Sequence, residues 1–116
     1  MKHACAAELL HRLPGPVSAK WPQGERFVTA LANGSMSVEL YAPRGTDPQT
    51  PHAQDELYFI HSGTAIFTLE AERMACAAGD ALFVPAGAEH RFVDFSDDFA
   101  TWVVFWGPQG GEKAAS

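Results

Sequence analysis

From Arg26 to Trp106 the chain is a succession of short segments rich in β-branched and aromatic residues, cut apart by turns too short to hold a helix. R-F-V-T-A-L-A runs into Asn33-Gly34, a pair that favours a tight hairpin, and S-M-S-V-E-L-Y follows with a period of two. Met36, Val38 and Leu40 then face one way, and Ser35, Ser37 and Glu39 the other. After the turn-rich loop Pro43–Pro51 come E-L-Y-F-I-H, A-I-F-T-L-E, A-L-F-V-P, H-R-F-V-D-F and A-T-W-V-V-F-W. Between Gly63 and Gly79, residues 64–78 leave room for two short strands and one turn. Such a pattern predicts an all-β domain, sandwich or barrel. The one helical stretch is Ala/Leu-rich, residues 4–13, and Pro14-Gly15-Pro16 stops it.

A chain of 116 residues is one domain and buries a core without needing disulfides or metals to hold it. Its 8 basic against 14 acidic side chains give a net charge of −6, so the cationic surface that nucleic acid or an anionic membrane requires is missing. No run reaches the roughly 18 apolar residues of a membrane span. Glu8, His11 and Arg12 interrupt any apolar leader, so a cytoplasmic protein is expected. Cys5 and Cys76 form no disulfide framework or C-x-x-C pair and are expected as free thiols.

Chemistry concentrates in two stretches, Thr50 to Gly63 and Gly79 to Asp94. Glu56, Tyr58 and Ile60 share one strand face; His90, Phe92 and Asp94 share another. The second stretch resembles the cupin spacing G-x5-P-x-G-x2-H-x3-N at every fixed position but the last, where Asp94 stands for Asn. The first is similar to H-x-H-x3-E-x6-G, except that Thr50 stands for the leading His; the spacing from Glu56 to Gly63 selects this register. The resemblance covers roughly residues 24–107 and implies a small jelly-roll β-barrel with a short N-terminal helical extension. It also implies that His52, Glu56 and His90 are metal ligands, a two-imidazole, one-carboxylate set suited to one divalent transition metal, Fe, Mn, Ni or Zn.

Threonine is a poor ligand for such an ion, which leaves two readings open. Either three ligands hold a metal with extra open positions, or the barrel has drifted from metal binding and keeps these groups as pocket polarity. Gln49 and Gln54 are the neighbours that could compensate. Thr50, Gln54 and Tyr58 are candidate pocket residues, although a polar turn for Gln54 and ordinary barrel packing for Tyr58 are the simpler readings. Asp94 is either a hydrogen-bond acceptor near His90, behind the metal ligands, or a solvated carboxylate. Gly79, Pro85 and Gly87 have a structural reading, as turns that aim His90 inward. His61 has the opposite parity to Glu56 and is expected to face outward.

Residues 1–23 are expected to form the extension, 24–107 the barrel and 108–116 a flexible tail. The last strand is apolar on both faces, so it is either central with cover from Trp21 and the N-terminal helix, or a subunit contact; cupins pair through sheet faces, and a homodimer is expected. A small metal-dependent enzyme of dioxygenase or isomerase type, acting on a small polar metabolite, is the leading function. The alternative is a non-catalytic binding or sensory module with a degenerate metal site.

Overall fold

The computed structural model describes residues 2–113. One short helix, α1 (Ala6–Leu10), precedes eight strands: β1 (Phe27–Asn33), β2 (Met36–Tyr41), β3 (Asp55–Ser62), β4 (Thr64–Leu69), β5 (Glu72–Ala77), β6 (Ala81–Val84), β7 (His90–Val93) and β8 (Ala100–Trp106). They form a five-stranded sheet, ordered β1-β2-β8-β3-β6, and a three-stranded sheet, ordered β5-β4-β7. Every pairing is antiparallel. The jelly-roll expectation holds. Among the described residues no helix is long and apolar enough to cross a membrane.

The two sheets close over an aromatic core of Tyr58, Phe67, Phe92 and Phe99, each fully buried. Phe92 packs at 4.9 Å from both Tyr58 and Phe67 and 4.8 Å from Phe99, between ring centroids. Each such ring contributes about 1.5–3 kcal/mol by leaving water. The β3–β4 corner turns on Gly63 (φ 77°), where a Cβ would strike the Ser96 side chain and stand 2.7 Å from the Phe99 Cα. Only glycine fits there. The first hairpin falls one residue later than its Asn-Gly signal suggests: Asn33 pairs with Met36, and Gly34-Ser35 make the turn.

Three details differ from expectation. The helix spans half of residues 4–13: Cys5 offers no side-chain cap at its start, and beyond Leu10 the chain tightens into i→i−3 turns, Arg12 N–H to Leu9 O at 3.0 Å and Leu13 N–H to Leu10 O at 3.2 Å. Trp21 covers the opposite side of the large sheet from the one foreseen: it packs on Phe27 (5.9 Å) and Tyr41 (6.2 Å) at the mouth of the barrel. The stretch after β8 is tied down as far as Glu112, since Gly110 N–H bonds Ala53 O at 2.7 Å and Glu112 N–H bonds the Asp55 carboxylate at 2.9 Å. Residues 114–116 of the expected tail lie outside the described residues.

β8 is central, between β2 and β3. Thr101 and Val103 point into the core. Their neighbours Trp102, Val104 and Trp106 face outward beside Leu57, Phe59 and Phe83, and Phe59 and Phe83 remain 44% and 52% exposed.

Candidate metal centre

β3 carries Glu56 inward with Tyr58 and Ile60, and all three are buried as their shared parity requires. His90 opens β7, and its Nδ1–H donates to Ala88 O at 2.9 Å, which leaves Nε2 with its lone pair toward the barrel. The left-handed Gly87 (φ 81°) turns the chain just before it, and Gly87 N–H bonds His52 O at 2.8 Å. That bond fastens the two motif stretches together. The His52 ring rests edge-on against Phe105, 4.8 Å between centroids.

These elements bring His52, Glu56 and His90 together, with one ligand atom from each within 4.8 Å of the others. His90 Nε2 stands 2.9 Å from Glu56 Oε1, and His52 Nε2 stands 4.0 Å from the same oxygen. The 2.9 Å approach is close but not aligned for an N–H···O bond. Among the described residues, both Glu56 oxygens and His90 Nε2 are buried without a hydrogen-bond partner. Buried polar atoms are rarely left so. An uncompensated carboxylate, 1% exposed, facing two imidazole nitrogens fits a divalent cation.

The two histidines are perturbed in opposite senses. Burial lowers the pKa of His52, and the Glu56 carboxylate offsets only part of this. Burial also works against a charged His90, but the Glu56 carboxylate and the Ala88 carbonyl outweigh it, and its pKa is raised.

A polar network absent from the motifs lies beside this group. Asp47, 3% exposed, accepts from the Tyr41 hydroxyl, from Phe92 N–H at 2.8 Å and from Gln49 Nε2 at 2.9 Å. Gln49 Oε1 in turn accepts from the Tyr58 hydroxyl at 2.9 Å and lies 3.3 Å from His52 Nε2. His52 and Gln49 reach a cleft of about 770 Å³ that Trp21, Phe27 and Phe105 line with rings and Glu39 with a carboxylate. Burial, then Glu56 and Glu25, raises the Glu39 pKa.

Of the other expected site residues, Tyr58 lies at the centre, fully buried, with its hydroxyl committed to Gln49. Gln54 edges the cleft, while its amide ties Ser35 O and Gly107 O together, both at 2.9 Å. Thr50 is exposed and lines a hollow together with Gln49 and His90. Asp94 is exposed at φ 50°, just past β7, and His90 takes its bond from Ala88 instead. A left-handed backbone is a position that Asn and Asp tolerate best, which accounts for the residue type there. His61 is exposed, as its parity requires. Sequence reasoning missed Tyr41, Asp47 and Glu39 as site residues; a buried Asp in a loop of turn-formers carries no periodic signal.

The family profile described as Cupin domain matches residues 37–106. The uncharacterized protein SCO3923 of Streptomyces coelicolor is 44% identical over 85 residues, 72% of this chain and 81% of that protein. Among solved structures, a candidate mannose-6-phosphate isomerase from Ralstonia eutropha is similar at TM-score 0.63 and 25% identity, covering 93% of this chain and 100% of that one. A Cupin 2 conserved barrel domain protein from Salinispora arenicola is similar at TM-score 0.60 and 22% identity, covering 70% and 74%.

Proposed function

The chain belongs to the Cupin domain family, and from that premise we propose that it is a metal-binding cupin, working as a small metal-dependent enzyme of dioxygenase or isomerase type on a small polar metabolite. The observation that carries this reading is the buried, unpartnered Glu56 carboxylate facing His90 Nε2 and His52 Nε2. His52, Glu56 and His90 would hold one Fe, Mn, Ni or Zn ion, whose Lewis acidity and open positions would polarise substrate oxygens. The Ala88 carbonyl fixes the His90 tautomer so that Nε2 is the free nitrogen. The lowered pKa of His52 keeps its ring neutral at pH 7, as a ligand must be. Trp21, Phe27 and Phe105 would restrict water around the substrate, and Glu39 adds a carboxylate whose pKa burial raises. The isomerase assignment of the Ralstonia protein supports trying aldose–ketose chemistry first.

A second reading draws on the raised His90 pKa: a charged His90–Glu56 pair needs no metal, as in a non-catalytic binding module. Elemental analysis of untagged, chelator-free protein beside His90→Ala separates the two. Near-stoichiometric metal that disappears in the variant supports the metal centre. Metal-free protein that no added ion stabilises leaves the binding module.

The outward row of Phe59, Phe83, Trp102 and Trp106 supports a homodimer formed through the large sheet. The two free thiols suit a cytoplasmic setting.

A further inference from the structure

The ligand set has a gap where Thr50 replaces an imidazole, and Gln49 stands beside it. We propose that the Gln49 side-chain oxygen is the fourth ligand of the metal centre, in place of the imidazole that position 50 lacks. The inference rests on the reading of the site as a metal centre.

The amide orientation is determined by its partners. Asp47 is wholly an acceptor when ionised, so the group 2.9 Å from its Oδ2 must be the Gln49 NH2. Asp47 cannot swing away, because the Tyr41 hydroxyl and Phe92 N–H hold it, the latter at 2.8 Å. The carbonyl oxygen therefore points the other way, where the Tyr58 hydroxyl donates to one of its lone pairs at 2.9 Å. The second lone pair remains, and His52 Nε2 lies 3.3 Å away. Without an ion, a proton on Nε2 joins the two atoms. When His52 binds a metal through Nε2, that proton is gone, and the second Gln49 lone pair, 3.3 Å away, is left without a donor.

The Gln49–His52 separation suits neighbouring ligands. Donors about 2.0–2.2 Å from one ion stand about 3–3.5 Å apart when adjacent and about 4 Å when opposite. Gln49 Oε1 to His52 Nε2 is 3.3 Å, His90 Nε2 to Glu56 Oε1 is 2.9 Å, and His52 Nε2 to Glu56 Oε1 is 4.0 Å. Gln49 also lines both the main cleft, with His52, and the hollow that His90 lines. Thr50 shares the second hollow but is exposed.

The test is Co2+ titration of the chelator-stripped full chain, read by affinity and by the visible spectrum of the saturated protein. Gln49→Ala is expected to weaken binding at least about 10-fold and to change the spectrum. Gln49→His, which offers a nitrogen at similar reach, is expected to restore affinity with a spectrum moved to higher energy. Thr50→Ala is expected to match the wild type. Melting curves without metal identify any variant that fails to fold, and if Gln49→Ala fails, Gln49→His carries the test through its spectrum. Wild-type affinity and spectrum in Gln49→Ala, or weakened binding in Gln49→Ala with an unaltered spectrum in both Gln49 variants, would overturn the inference and leave Gln49 as a positioning residue for His52. A wild-type protein that takes up no Co2+ would instead remove the metal reading, and this inference with it.

Discussion

Replacing Glu56 by Gln separates a residue kept for a ligand from one kept for the fold. The side chain is 1% exposed, and neither oxygen has a hydrogen bond among the described residues. A buried polar atom left unpaired costs about 1–3 kcal/mol, and a charged one more. Attraction to His90 at 2.9 Å offsets part of that cost. Removing one member of a buried pair usually costs 3–5 kcal/mol, because the other charge is stranded. Here His90 can shed its proton and keep its Nδ1–H bond to Ala88 O. The stranding penalty therefore does not arise. Metal-free Glu56→Gln is expected to be more stable than metal-free wild type by about 1–2 kcal/mol, or about 4–8 °C in Tm for a chain of this size. Added metal should reverse the order: at 100 times Kd an ion stabilises wild type by about 2.7 kcal/mol, and the variant by much less. Thermal and urea unfolding at pH 8, with EDTA and then with Mn2+ or Zn2+, measure both halves. A metal-free variant that melts 4 °C or more below wild type would refute the reasoning, since the carboxylate would then be half of a structural ion pair.

The metal-free protein should be most stable near pH 6.5. The raised pKa of His90 gives stability that is complete below the ordinary value of 6.5 and is lost as pH rises through its folded value, whereas the lowered pKa of His52 makes stability fall as pH drops from 6.5 toward its folded value. Urea unfolding from pH 5 to 8.5 checks this, and a monotonic rise across the range would contradict it. Phe59→Glu with Phe83→Glu should convert a dimer into a species of 12.5 kDa by light scattering, with the metal-free Tm little changed. A wild type already of that mass would exclude the sheet-face dimer.

What could be read from the sequence was local, and what could not was long-range. Glu56, Tyr58 and His90 point inward because parity along a strand is a property of neighbouring residues. Gly87 turns as foreseen because its positive φ is a demand of the backbone itself. Alternation names two faces, however, and does not say which is inside. On β2 the half-buried Ser37 and Glu39 share the parity of buried Tyr41 and line up with Val103 and Phe105, on the cleft side; Met36, Val38 and Leu40 face the other way. An apolar-inward rule would have chosen the opposite. The same limit applies to Gln49, which the sequence offered only as one of two neighbours. Its role depends on Asp47, held by Tyr41 from β2 and Phe92 from β7, two strands that only the closed barrel brings near the loop. Position 50 carries the motif's edit, and compensation one residue earlier would be open to a loop, which, unlike a strand, can present successive side chains to the same point. A motif match that scores residues one position at a time registers a missing ligand where, on the inference above, the Gln49 oxygen would take its place.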